Sequence, residues 1–258
     1  MCLRSISLRV CAFKFHSHDR KPKLGVLSLI LKFNWVENMN RKMKLLAVAV
    51  IIMIALLGVA AFIQTLGSKK QIRVACVGDS ITKGSGYAVK LQSLLGTHYA
   101  VSNFGVDGST VTLNSDKPYM KQPEFQKAEE FQPDIVVVML GTNDATESLT
   151  QYNNTFEDDY SKLVGSFQGL ESNPQIWVVK SPPIQNNSVD LSAPILTQNV
   201  IPHIENVANN LNLPTIDVYS ALDNHPDYFT DGVHPDSDGA TTLIASTVCI
   251  AITPDEFY

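Results

Sequence analysis

Apolar and polar positions along the chain follow two regimes. From Leu45 to Ile63, nineteen consecutive residues carry no polar side chain. As a helix rising about 1.5 Å per residue, this run covers roughly 28 Å, close to the thickness of a bilayer's hydrocarbon core. Arg41, Lys42 and Lys44 precede it and Lys69 and Lys70 follow it, so the pattern predicts one N-terminal transmembrane helix rather than a buried core helix. Beyond it the apolar runs shorten to strand length, at 72–77, 99–104, 134–140, 175–179 and 214–218. They alternate with helically spaced segments at 87–95, 124–132, 156–170, 195–211 and 237–250. Asp134 to Leu140 is apolar on both faces, as a central parallel strand requires. Such alternation predicts a parallel sheet covered on both sides, in one three-layer α/β/α domain over 72–252.

The remaining segments divide accordingly: a basic N-terminal segment over 1–44, the anchor or signal over 45–66, and a linker over 67–71. Residues 1–44 read either as a short cytoplasmic tail or as a mis-assigned start, since Met39 or Met43 would open a more ordinary signal. A cleaved signal peptide competes with an uncleaved anchor. Its apolar region is normally about 7 to 15 residues, shorter than this one, but Thr65-Leu66-Gly67 offers small residues at cleavage spacing. Either way the basic excess lies before the span, which predicts a cytoplasmic N-terminus and an extracytoplasmic domain, membrane-anchored or secreted.

Charge sharpens that division. The formal net charge of −5 averages a segment 1–44 with ten basic and two acidic residues against a segment from Gln71 onward with eight basic and twenty-three acidic, net −15. A domain of that sign repels phosphate backbones, which argues against nucleic acid as a partner. The four cysteines, Cys2, Cys11, Cys76 and Cys249, have no CxxC spacing, so no metal and no cofactor is expected. A disulfide between Cys76 and Cys249 stays open at this stage. Asn153 and Asn186 head N-x-[ST] sequences, relevant where the host glycosylates exported proteins.

The chemistry gathers just after the strands: Gly78-Asp79-Ser80 after the first, Gly105 after the second, Gly141-Thr142-Asn143-Asp144 after the third, and Asp231-Gly232-Val233-His234-Pro235 before the last helix. In a parallel sheet these positions share one edge. Acyl transfer needs a nucleophile, a base, a group that orients the base and donors for an oxyanion. Ser80, His234 and Asp231 fit the first three roles. The backbone N–H groups of Ser80 and Gly105 and the Asn143 amide fit the fourth. Each residue also has a plainer use: a serine after Gly-Asp or an asparagine after a strand commonly caps a helix, and Asp before Gly commonly makes a turn. Asp79 reads as a turn residue, Asp144 as a brace for the Asn143 loop, and His203 and His225 as ordinary loop or surface histidines. The GxxxxGK[ST] phosphate loop and the GxGxxG dinucleotide fingerprint are both missing.

Taken in order, the four blocks resemble those of the SGNH hydrolases, the GDSL esterases and lipases. The resemblance implies a flavodoxin-like fold with about five parallel strands, Ser80 as nucleophile, His234 as base, Asp231 as its partner, and Gly105 and Asn143 as oxyanion donors. It implies a serine esterase acting through an acyl-enzyme on a small-molecule or glycan ester. Asn103 to Gly108 and Lys180 to Pro183 look similar to carbohydrate acetylesterases of the sialate or xylan kind, which narrows the expectation to acetyl esters of sugars. A lysophospholipase or thioesterase, a sugar O-acyltransferase and a catalytically silent glycan-binding domain are the alternatives. The loop from Thr110 to Gln122, with Tyr119, and the loop after Val179 are expected to wall the pocket.

Overall fold

A computed structural model describes residues 40–67, 70–236 and 238–253. The chain divides into two units between Gly67 and Ser68. In the first, helix α1 (Arg41–Gly67) is long and apolar enough over Arg41–Val59 to cross a membrane, with none of that stretch buried. The expectations for residues 1–39 lie outside the described residues.

The second unit is built on five strands, β1 (Ile72–Gly78), β2 (Tyr99–Gly105), β3 (Ile135–Met139), β4 (Gln175–Lys180) and β5 (Thr215–Asp217), all parallel, in the order β2-β1-β3-β4-β5. That order is the flavodoxin-like one, and its switch point lies between β1 and β3. Helices α2 (Ser80–Gly84), α3 (Tyr87–Leu95), α4 (Pro123–Glu130), α5 (Asn153–Gln168), α6 (Ile201–Asn210), α7 (Val218–Leu222) and α8 (Asp238–Ile252) connect and cover the strands.

Strand side chains alternate faces, and both faces here are apolar. Ala75, Val77, Val136 and Val138 pack with Tyr160, Leu163, Phe167 and Ile204 of α5 and α6. On the opposite face Val74, Cys76, Val137 and Met139 pack with Tyr87, Leu91, Ile244 and Val248 of α3 and α8. Cys76 and Cys249 share that second core, and no disulfide joins them. Burial outweighs a hydrogen bond with Tyr87 and pushes the Cys76 thiol up to about 12, so it is an apolar filler with no thiolate character.

Two helices escaped the sequence pattern because they are too short to show a period. Both α2 and α7 run five residues, and each is started by an aspartate side chain that accepts a backbone N–H: Asp79 from Ile81, Asp217 from Ser220. Leu196–Val200 before α6 is a π-helical turn, which no spacing rule anticipates.

Candidate active site

Strand β1 ends at Gly78, between Gly105 of β2 and Met139 of β3. The next residue, Asp79, caps α2 through Oδ1, 2.9 Å from the N–H of Ile81. Ser80 is therefore not the cap but the first helical residue. Its own N–H has no acceptor among the described residues, as expected at a helix start.

From the other end of the domain, the turn 231–234 delivers the histidine. Asp231 Oδ1 accepts from the N–H groups of Val233 (2.9 Å) and His234 (2.8 Å), which folds the turn back on itself. Asp231 Oδ2 then lies 2.6 Å from His234 Nδ1, and His234 Nε2 lies 2.8 Å from Ser80 Oγ. Partial burial pushes the Asp231 carboxyl up, but the His234 N–H, the imidazole and the Val233 N–H outweigh that and hold it at about 2. An ionised Asp231 fixes Nδ1 as the protonated nitrogen, so Nε2 carries the lone pair that faces the serine.

Asn143 follows β3 in a short 3₁₀ turn. One of its amide hydrogens goes to Ser109 O at 3.0 Å; the second has no acceptor among the described residues, and Asn143 lines the cleft. Asp144 braces this arrangement. It is buried and accepts from the N–H groups of Val111 and Thr112, both at 2.9 Å, and from the Thr112 hydroxyl at 2.6 Å, tying the Asn143 turn to the 109–112 loop. Burial nonetheless raises its carboxyl above the usual range.

Gly105 is engaged otherwise than expected. Its N–H donates to Asn103 Oδ1 at 2.9 Å, so it is not available to an oxyanion. Its need for glycine is steric, since an added Cβ would overlap the backbone of Lys83 and Asp79 where α2 crosses the end of β2. Three residues further on, Gly108 lines the same cleft as Ser80, Asn143 and His234, and its N–H has no acceptor among the described residues. Its φ of +67° is a left-handed conformation suited to glycine. In the sequence, the second glycine of Gly105-Val106-Asp107-Gly108 was the available signal.

The cleft is a cavity of about 570 Å³, lined by Thr110, Ser115, Asp116 and Lys117 of one loop and by Val189 and Leu191 of another. Both expected loops contribute, but Tyr119 does not. It is fully buried in the core, its hydroxyl donating to Phe104 O at 2.8 Å. His203 sits on α6 with Nδ1 2.7 Å from Glu157, and His225 stacks on Tyr228, so neither joins the cleft. Among the described residues no cluster of His, Cys, Asp or Glu has a metal-binding arrangement.

The strand order and a hydrogen-bonded Ser-His-Asp array at the switch point define the class, a doubly wound α/β/α protein whose site lies at the carboxyl edge of its sheet. Comparison with known proteins places the chain within that class. The model of the GDSL-like lipase/acylhydrolase family matches residues 76–241. An acetylxylan esterase of Xylanibacter ruminicola is 31% identical over 207 residues, 70% of this chain and 43% of that protein, so the chain spans less than half the length of the curated relative it matches. Among solved structures, a lipase/acylhydrolase from Enterococcus faecalis superposes with a TM-score of 0.56 at 24% identity, covering 71% of this chain and 96% of the other. A carbohydrate acetylesterase family member from Sinorhizobium meliloti does so with 0.54 at 21%, covering 70% and 97%. The chain belongs to the GDSL-like lipase/acylhydrolase family.

Proposed function

We propose that the protein is a serine esterase that removes acetyl groups from carbohydrates. The observation that carries this reading is the continuous array Asp231, His234, Ser80, opening on a cleft that Ser80, Gly108 and Asn143 line together. Ser80 Oγ attacks the ester carbonyl while His234 Nε2 takes its proton, and Asp231 stabilises the imidazolium that forms. The oxyanion is met by the N–H of Ser80, the N–H of Gly108 in place of Gly105, and the free hydrogen of the Asn143 amide. His234 then protonates the leaving sugar hydroxyl, which leaves an acetyl-Ser80. A water that gives its proton to His234 Nε2 attacks that acyl-enzyme, and His234 returns the proton to Ser80 Oγ as acetate leaves, restoring the serine.

The acetylxylan esterase relative and the polar rim of the cleft support a sugar as the alcohol. Helix α1 supports an anchor that holds the acidic domain outside the cytoplasm. Full-length protein in mild detergent should hydrolyse 4-nitrophenyl acetate faster than the octanoate ester and release acetate from acetylated xylan. Retained turnover in Ser80→Ala would sink the nucleophile assignment, and a preference for octanoate would move the protein to the lipase side of its family. Acetyl transfer to an added sugar in excess of hydrolysis would make it a transferase. A mature N-terminus near Ser68 would replace the anchor with a cleaved signal.

A further inference from the structure

Beside the cleft lies a second cavity of about 360 Å³, within the range of roughly 300–1,000 Å³ typical of small-ligand sites. The two share Leu191 as a common wall. Four side chains that line the second cavity, Glu147, Gln185, Asn186 and Asp190, make no hydrogen bond or ion pair with any described residue. Their neighbour Asn187 behaves oppositely. Its amide donates to Gln185 O (3.1 Å) and Leu191 O (2.9 Å), and its oxygen accepts from Val189 N–H (3.0 Å), so it acts as the internal scaffold of the loop.

The loop is also stapled to both halves of the active site. Gln185 N–H donates to Gly232 O at 2.7 Å, within the turn that carries Asp231 and His234. Ser192 N–H donates to Ala145 O at 2.8 Å, two residues beyond Asn143. A ligand seated here is therefore held in register with the reacting ester.

We propose that this groove is a subsite for a second, neutral sugar unit of the chain whose acetylated unit occupies the cleft. The inference rests on the carbohydrate reading above. The chemistry of the lining selects the ligand. Two carboxylates accept from hydroxyl groups, two primary amides donate and accept, and Leu191, with the exposed Val189 beside it, offers an apolar surface for the C–H face of a sugar ring. No basic side chain lines the groove, and Glu147 and Asp190 repel a uronate or sialate. The enzyme so built prefers acetylated oligosaccharides over acetylated monosaccharides.

The test uses the full chain in detergent, expressed in bacteria so that Asn186 carries no glycan. Calorimetric binding of unesterified xylotetraose to Ser80→Ala protein is expected, with tetragalacturonate binding at least about tenfold more weakly. Glu147→Ala/Gln185→Ala in the same background should weaken xylotetraose binding about tenfold, the scale of two lost hydrogen bonds to a neutral ligand. In active protein, the same pair should lower about tenfold the ratio of kcat/KM for acetylated xylotetraose to that for acetylated xylose. Asn186→Ala, at an exposed position, gives the same readouts if the double variant does not fold. Undetectable binding of xylotetraose, or binding and kinetic ratio both indifferent to these variants, would overturn the subsite. Failure of the esterase reading looks different: no ester is turned over, while groove-dependent xylotetraose binding persists.

Discussion

The turn that carries Asp231 and the floor beneath Ser80 that carries Asp79 treat a carboxylate in opposite ways. Asp231 has about half its side chain exposed, and three hydrogen bonds hold it at about 2. Asp79 is buried, and burial pushes it up to about 7 against one hydrogen bond from the Ile81 N–H. Its second oxygen has no hydrogen-bond partner, and Thr142 Oγ1, which moderates the shift, is itself buried without one. Depth decides the direction: Asp144, fully buried, stays above the usual range although it accepts three hydrogen bonds, whereas the same number suffices to lower the half-exposed Asp231. The exposed turn presents a permanent anion to the imidazole. The floor keeps a carboxyl that carries its proton below about pH 7.

Four experiments press on that contrast. The largest effect belongs to the group both regions serve. Ser80→Ala should lower kcat on an aryl acetate by a factor on the order of 10⁴–10⁶, and labelling by a fluorophosphonate should vanish with it. Next is Asp231→Asn, which keeps the turn's acceptor but removes the anion; a loss on the order of 10³–10⁴ in kcat is expected. A loss below tenfold would reduce Asp231 to a turn residue and break the comparison. Asn143→Ala should cost about 10²–10³ in kcat, the scale of one oxyanion donor, with little change in KM.

The smallest effect concerns the floor, and stability reads it. Because the folded carboxyl of Asp79 lies above its unfolded value, the native state binds the extra proton. Stability therefore falls as pH rises from about 4 through 7, by at most about 4 kcal/mol. Asp79→Asn keeps the acceptor for Ile81 and offers Thr142 a donor. Its melting temperature should match wild type near pH 5 and exceed it at pH 8; an equal difference at both would remove the proton from Asp79. Asp231 has the opposite sign, since its lowered carboxyl contributes stability above about pH 4 that is lost as pH falls toward 2.

Local features were legible and distant ones were not. The central strands β1 and β3 stood out because burial on both faces writes an unbroken apolar run, as in Ile135–Met139. The Asp231–His234 turn was equally readable, since its hydrogen bonds span only two or three residues. Tyr119 misled because it lies in a loop of which Thr110, Ser115, Asp116 and Lys117 line the cavity, while its own ring is buried in the core. Gly105 misled because its glycine is required for close packing of α2, a reason that mimics a functional one.

By itself the sequence determined the strand–helix alternation, the apolar helix ahead of it and the set of polar residues at the carboxyl edge, because each depends on the side chains of one short segment. Tertiary structure alone decided which N–H of the Gly105–Gly108 loop is free, which aspartate is ionised, and that the 185–192 loop forms a polar groove stapled to both halves of the site. Each of these depends on a partner brought in from elsewhere in the fold. Asn103 takes one N–H, the packed floor withholds water from Asp79, and Gly232 and Ala145 fix the loop in place.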